Sequence, residues 1–234
     1  MTTTLFKSLG AATTLVGILA TASSANAASL TSSASSGLLS TDFANVTLSV
    51  QKFDSSLGTL KGVTLKFDGQ LQGVGRYENT GPNASSVTVN LTGQLGLDLG
   101  GQSLFSLNPQ KADTYNFAAF DGTLDFGGTS GSTINGPTAQ MSQTRSFTDA
   151  SFLQAFIGSG NLDFLLSAQA TSTVSGSGNI FASVTTLARG GVEVTYDYDP
   201  VQSVPEPSAA LGFGLVAGIG LLSQRKKSWI KSSN

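Results

Sequence analysis

The densest acidic cluster of the chain lies close to residue 195, where carboxylates alternate with other residue types. Asp197 and Asp199 share the parity of Glu193, and apolar or aromatic residues occupy positions of opposite parity. Calcium takes roughly six to eight oxygen ligands, and carboxylates supply many of them. The sequence has no D-x-D-x-D-G loop, the pattern that would favour a calcium site. We therefore interpret the cluster as the solvent-exposed face of a strand.

A second acidic pair, Asp121 and Asp125, flanks Gly122-Thr123-Leu124. Two carboxyl groups about 5–9.5 Å apart in a cleft are the requirement for glycoside hydrolysis. Residues i and i+4 of an extended strand are farther apart than that. We predict that both side chains cap a turn, and a carboxylate-dependent glycan hydrolase remains only a remote alternative.

The sequence Arg76-Tyr77-Glu78 has the residue types of a sugar-binding patch, with Tyr77 as the stacking surface. Such sites commonly use large amphipathic rings. The single tryptophan, Trp229, lies close to the C-terminus, outside the segment that we predict to be the folded domain. A carbohydrate-binding module for exopolysaccharide is accordingly an alternative function and not the leading one.

Cysteine and histidine are both absent from the 234 residues. Their absence excludes disulfides, zinc sites built on Cys or His, and Ser-His-Asp, Cys-His or histidine acid–base chemistry. Between residues 28 and 202 there are 7 basic and 13 acidic residues, a net charge of −6. Negative charge disfavours a nucleic-acid partner. No catalytic residue, cofactor or metal site is predicted.

Alternation of apolar and polar residues with period 2 predicts that the middle of the chain forms β-strands. The pattern is clearest in SVTVNLTGQLGLDL, residues 86–99, where the apolar residues share one parity. Similar patterns predict strands at 46–50, 63–67, 114–120, 162–173, 179–187 and 191–199. Such a series of strands predicts an all-β fold, an antiparallel β-sandwich or jelly roll.

Signals for turns and for one helix separate these strands. Residues that favour turns occur at 54–58, 79–83, 121–122, 127–128 and 190–191. The segment DASFLQAFIG, residues 149–158, has an N-cap candidate, spaced apolar residues and a terminal glycine. We predict one short helix there, plugging one end of the sandwich. The Ser-rich residues 28–42 are expected to be a loosely ordered leader.

The first 27 residues have the pattern of an export signal. Lys7 gives a weakly positive start, residues 9–20 are moderately apolar, and Ala25-Asn26-Ala27 supplies a small-x-small cleavage pattern. The pattern predicts a signal peptide helix over 1–27, which signal peptidase would cut between Ala27 and Ala28. An N-terminal membrane anchor is the alternative, but the apolar run is too short and is diluted by Gly and Thr.

The C-terminal segment combines a proline-rich turn, an apolar run and a basic cluster. Pro205, Glu206 and Pro207 interrupt regular structure. They precede a predicted apolar helix over 209–224 and the basic residues Arg225, Lys226 and Lys227 at 225–227. A bilayer-spanning helix needs about 20 residues, so this helix is a marginal span. Its basic end favours a cytoplasmic tail over 228–234.

This order of Pro-Glu-Pro, short apolar helix and basic cluster resembles the PEP-CTERM sorting signal of Gram-negative bacteria. The resemblance implies that an exosortase, a membrane-embedded cysteine transpeptidase-like enzyme, processes the chain near 205–207. Transient anchoring in the inner membrane would precede release or re-anchoring at the cell surface. An ordinary single-pass tail anchor is the alternative.

Four short segments also resemble choice-of-anchor E domains. They are FDSSLGTL at 53–60, GVTL at 62–65, IGSG at 157–160 and VEVTYDY at 192–198. The resemblance covers residues 45–200 and implies an extracellular domain that is attached to alternative surface anchors. It assigns no catalytic residue.

Together these patterns predict a signal peptide (1–27), a Ser-rich leader (28–42), a β-sandwich (43–200), a sorting signal (201–227) and a tail (228–234). The predicted function is that of an exported, non-enzymatic cell-surface or extracellular-matrix protein. Its predicted partners are signal peptidase and exosortase, with the chain as their substrate, and the membrane through the C-terminal helix before processing.

Overall fold

The computed structural model describes residues 15–19, 27–176 and 179–201. The strands are β1 Leu15–Leu19, β2 Ala28–Ser35, β3 Leu39–Ser40, β4 Phe43–Gln51, β5 Gly58–Asn79, β6 Ser85–Leu99, β7 Gln102–Leu107, β8 Gln110–Phe117, β9 Gly131–Phe147, β10 Asn161–Ala170, β11 Thr173–Gly176 and β12 Ile180–Pro200. One short helix, α1, spans Ala150–Leu153, and 3-10 turns span Ser55–Leu57 and Gln154–Phe156. The predicted all-β fold is confirmed.

The strands form two antiparallel sheets. Sheet A has the order β1-β2-β12-β5-β9, with β3 also paired to β12. Sheet B has the order β11-β6-β10-β4, with β7 and β8 also paired to β6. The strands β5 and β12 pair along almost their whole length and form the centre of sheet A.

The apolar parity of each long strand faces the other sheet and forms the core. Leu65 and Phe67 of β5 are fully buried, as are Leu95 of β6 and Leu166 of β10. Removing each such side chain from water contributes about 1.5–3 kcal/mol to folding. A smaller second core gathers around Tyr77, near the end of β5, with Val87, Val89 and Phe117.

The opposite parity of the strands is exposed and rich in hydroxyl groups, which pair across neighbouring strands. Three such pairs have oxygen–oxygen distances of 2.9–3.3 Å: Thr31 with Thr195, Thr64 with Ser146, and Thr88 with Thr114. Cross-strand threonine and serine pairs stabilise a sheet by roughly 0.2–1 kcal/mol each.

The predicted helical plug is confirmed, although it is shorter than 149–158. Asp149 occupies the N-cap position without a side-chain cap hydrogen bond, and α1 continues directly into the 3-10 turn. Phe156 of that turn is fully buried against Phe164 of sheet B and Tyr196 of sheet A. The plug therefore joins the two sheets through one aromatic ring.

Two sequence interpretations are corrected. The Ser-rich segment at 28–35 is not loose but forms β2, because its small Ser32 and Ala34 side chains fit inward beside β12. The pair Gly190-Gly191 is not a turn but lies inside β12, since β5 pairs continuously on both sides of it.

The predicted terminal helices lie outside the described residues, apart from 15–19, which form β1. Within the part of the chain that the structure describes, no helix has the length and apolar character needed to cross a bilayer.

Candidate functional site

The acidic cluster of β12 lies on the outer face of sheet A. Glu193, Asp197 and Asp199 are exposed and alternate with core residues such as Val194. The Oδ2 atom of Asp199 lies 3.0 Å from Nζ of Lys61. Among the described residues, no three acidic side chains are grouped closely enough to hold a metal ion. The interpretation of this cluster as an exposed strand face is confirmed.

The pair Asp121 and Asp125 lies in the loop of residues 118–130, between β8 and β9. Asp121 Oδ1 accepts a hydrogen bond from the Thr123 amide at 3.0 Å. Asp125 Oδ1 accepts one from the Gly127 amide at 2.8 Å. Such bonds stabilise turns, so the prediction that both side chains cap turns is confirmed.

The sugar-stacking interpretation of Tyr77 is wrong. The ring is only 1% exposed and packs between Tyr115 and Phe117 in the second core. Burial, and to a smaller degree the neighbouring Tyr115, raises the pKa of Tyr77 to about 12. Of the three predicted patch residues only Arg76 is exposed, so the patch does not exist.

Glu78 is fully buried because the loop 118–130 folds over it. Its Oε2 atom accepts a hydrogen bond from the Phe126 amide at 2.8 Å, and its Oε1 accepts one from the Ser130 hydroxyl at 2.6 Å. No cation among the described residues forms an ion pair with it. The carboxyl group thus attaches the loop to the end of sheet A.

The candidate site is a groove of about 530 Å³ on the outer face of sheet A. Strands β2, β12, β5 and β9 supply its polar lining, and the side chains that carry the chemistry are Ser35, Asp68, Gln70, Gln140, Ser142 and Arg189. Each of these side chains lies on the outward-facing parity of its strand. The pairing of the strands makes them neighbours, since Asp68 lies opposite Ser142 and Gln70 lies between Arg189 and Gln140. We call this set the sheet A groove.

Gln70 is the centre of the groove's hydrogen-bond network. Its Oε1 atom accepts a bond from Arg189 Nε at 2.7 Å and a second from Gln140 Nε2 at 3.3 Å. Asp68 lies beside Lys66, with 3.4 Å between Oδ2 and Nζ. The amide of Gln70 therefore orients the guanidinium of Arg189, while its own Nε2 stays available as a donor.

One glycine makes room for the groove, and two more lie beneath it. Gly191 stands on the exposed parity, so that no side chain fills the space between Ser35 and Asp68. Gly69 and Gly190 pair with each other and face the core. A Cβ on Gly190 would lie 2.5 Å from Leu166 Cδ1, which is too close, so the core packs directly against the backbone beneath the groove.

The groove presents donors and acceptors of several kinds in one place. Asp68 accepts hydrogen bonds, Arg189 donates them from a planar fork, and the amides and hydroxyls do both. Neighbouring hydroxyl groups of a sugar, each able to donate and accept, match such a set. A few placed polar groups in a concave site are typical of ligand recognition.

Sequence reasoning missed this groove because its residues are far apart along the chain. Gln70 and Arg189 are separated by 119 positions and meet only through the pairing of β5 with β12. The available local signal was parity, since Asp68 and Gln70 alternate with the apolar residues of β5. Parity places both side chains on the solvent-exposed face of the sheet, but it does not show which residues of other strands lie beside them.

Of the predicted processing residues, Ala27 and Ala28 are described. Ala27 is exposed, and β2 begins at Ala28. Ala25, Pro205, Glu206, Pro207, Arg225, Lys226 and Lys227 lie outside the described residues.

Comparisons with known proteins give no family for this chain. No family model and no curated protein sequence matches it. A solved structure described as "Structure of infectious bursal disease virus Gx strain" aligns at 12% identity with 88% of this chain and 49% of that one. The TM-score is 0.19, and this chain spans about half the length of that protein. A score this low carries no argument about fold or function.

Proposed function

We propose that this chain is an exported, non-enzymatic cell-surface or extracellular-matrix protein. Signal peptidase removes residues 1–27, and an exosortase-type enzyme processes the signal at 201–227. The observation that supports the proposal is the position of the two sequence signals on either side of the sandwich strands β2 to β12. The jelly-roll connectivity and the two terminal helices remain predictions.

Cleavage after Ala27 has a structural consequence within this proposal. Strand β1 lies inside the signal peptide and pairs with β2. Removal of β1 would therefore leave β2 as the outer strand of sheet A. The mature sandwich keeps β2, β12, β5 and β9, which line the groove.

The intact mass of the protein recovered from the cell envelope and the medium tests the proposal. We expect a mass that begins at Ala28 and ends near 205–207, without tryptophan fluorescence because Trp229 is removed. Additional mass would report a lipid or glycan adduct. A mass extending to Asn234 would contradict exosortase processing and favour a plain membrane anchor.

The second candidate function is carbohydrate binding, and the sheet A groove is the observation that favours it. Its polar set mixes one carboxylate, one guanidinium, two amides and hydroxyls on the outer face of sheet A. Neutral exopolysaccharide is the ligand class that fits, because the lining holds one carboxylate and one guanidinium, which give it no net charge, and the domain as a whole is negative.

Replacing Arg189 tests this candidate function. We expect Arg189→Ala to weaken binding to a neutral polysaccharide about tenfold or more, since a charge-assisted donor is lost and Gln70 loses its partner. The measurement is an array of glucans, mannans and galactans, followed by calorimetric titration of the polymer that binds.

Lys111→Ala is the matched control, because Lys111 is an exposed cation on sheet B whose one ion-pair partner among the described residues is Asp113. Equal polysaccharide binding by the two variants would show that the sheet A groove is not the binding site. An array without any signal for the unmodified protein would reject carbohydrate binding as a whole.

A further inference from the structure

Apolar side chains are exposed at the end of sheet A where the loop 118–130 folds over Glu78. Phe181 of β12 is 53% exposed and Leu124 of the loop 54%. The ring of the partly buried Phe126 lies 5.7 Å from that of Phe181, tilted by 50°. We call Phe126 and Phe181 the ring pair. Exposed apolar groups that lie next to one another are typical of a surface that binds a ligand or a partner.

The ring pair is held by a specific arrangement of the backbone. Phe126 has a φ of 57°, a left-handed conformation that is uncommon for a bulky residue. Its amide points at the buried carboxyl group of Glu78. Asp121 fixes the turn that precedes Phe126, and Asp125 fixes the turn that contains it, each by accepting a backbone hydrogen bond. The loop therefore presents the Phe126 ring in a set position beside Phe181.

The ring pair and the sheet A groove share one surface. Phe181 and Arg189 are eight positions apart on β12 and have the same parity, so both side chains leave the same face. At about 3.3 Å per residue they are separated by roughly 26 Å. Between them on that face, Ser183 and Thr185 are exposed and Leu187 is partly buried.

We propose that the ring pair is an apolar subsite for a pyranose ring of the same neutral polysaccharide that occupies the sheet A groove. This inference rests on the carbohydrate-binding candidate function. The C–H-rich face of a pyranose is apolar and packs against an aromatic ring, while its rim of hydroxyls stays in water. A polymer lying along β12 reaches both places, whereas a disaccharide occupies only the groove.

The polymer is favoured over a protein partner by the surroundings of the ring pair. On β5 and β12 the surface between the ring pair and the groove alternates polar residues with the partly buried Val74 and Leu187, and its one charge is on Arg76. Such alternation of hydroxyl or amide groups with small apolar areas matches a repeating chain of sugars, whose rings have a polar rim and an apolar face. A protein interface of stable size would instead bury about 800 Å² on each partner around an apolar centre, which is more than one ring pair supplies.

Replacing Phe181 tests the inference. We expect Phe181→Ser in the full chain to weaken binding of the hexasaccharide of the array-selected polymer about fivefold, the loss of one ring contact. Binding of the corresponding disaccharide should stay unchanged. Both affinities are measured by calorimetric titration, with circular dichroism to show that the exposed substitution leaves the fold intact.

Leu57→Ser is the matched control, because Leu57 is an exposed apolar residue of the 3-10 turn before β5, and it should bind both sugars normally. Unchanged hexasaccharide binding by Phe181→Ser, with Arg189→Ala still impaired, would overturn the subsite and leave the groove in place. If the unmodified protein binds no sugar, the candidate function and the subsite fail together.

Discussion

Replacing Glu78 by alanine should destabilise the domain by about 2–4 kcal/mol. The change leaves the Phe126 amide and the Ser130 hydroxyl without their acceptor. An unpaired buried donor costs roughly 1–3 kcal/mol. The change also removes the hydrogen bonds that hold the middle of the loop 118–130 on sheet A, while Asn79 still binds Ala118 and Ser130 at its two ends, so the effect combines lost stability with a loosened loop centre. Urea unfolding gives the free energy, and hydrogen exchange of the loop amides reports the loosening.

Glu193→Ala is the matched control for this change. Glu193 is an exposed carboxylate on the same face of sheet A, and such surface changes usually alter stability by less than about 0.5 kcal/mol. If Glu78→Ala were as stable as the control and its loop amides stayed protected, Glu78 would not hold the loop. Glu78→Gln should lie between the two, because an amide oxygen can still accept one of the bonds.

Replacing Phe156 by alanine should destabilise the sandwich by about 3–5 kcal/mol, the usual cost of a phenylalanine truncated in a core. The ring is fully buried and contacts Phe152, Phe164 and Tyr196. Its loss leaves a cavity where the helical plug meets both sheets. The measurement is the urea midpoint at an unchanged slope, since the same surface is exposed on unfolding.

The control for Phe156 is the same truncation at an exposed ring. Phe181→Ala removes as many atoms from a residue that is half in water, and we expect a loss of less than about 1 kcal/mol. A small loss at Phe156 would mean that the plug repacks, and that the two sheets hold together without it.

Strands could be predicted from the sequence where one face of the strand is exposed to solvent and the other is buried. The alternation in residues 86–99 predicts β6 almost to its ends, because each side chain meets either water or the core. The strand β2 was not predictable, since its serines and alanines lack the large apolar residues on which the pattern depends. It is ordered by pairing with β12, and pairing is a long-range property.

In the candidate site, too, some features follow from the local alternation of residues and others depend on distant segments. The burial of Tyr77 could be predicted from the sequence, because Tyr77 has the same parity on β5 as the buried residues Leu65, Phe67 and Leu71. The burial of Glu78 was not, because its parity points outward and only the distant loop 118–130 covers it. The groove depends on the register between β5 and β12, which no local pattern encodes.

The cross-strand hydroxyl pairs of the outer faces are uncharged, so dissolved ions do not screen them. The three ion pairs found among the described residues lie at the surface, with only Asp113 partly buried, and each contributes about 0–1 kcal/mol. Since an apolar core and neutral hydrogen bonds stabilise the sandwich, its free energy of unfolding should be nearly independent of ionic strength. That property suits the exported location that we propose for this chain.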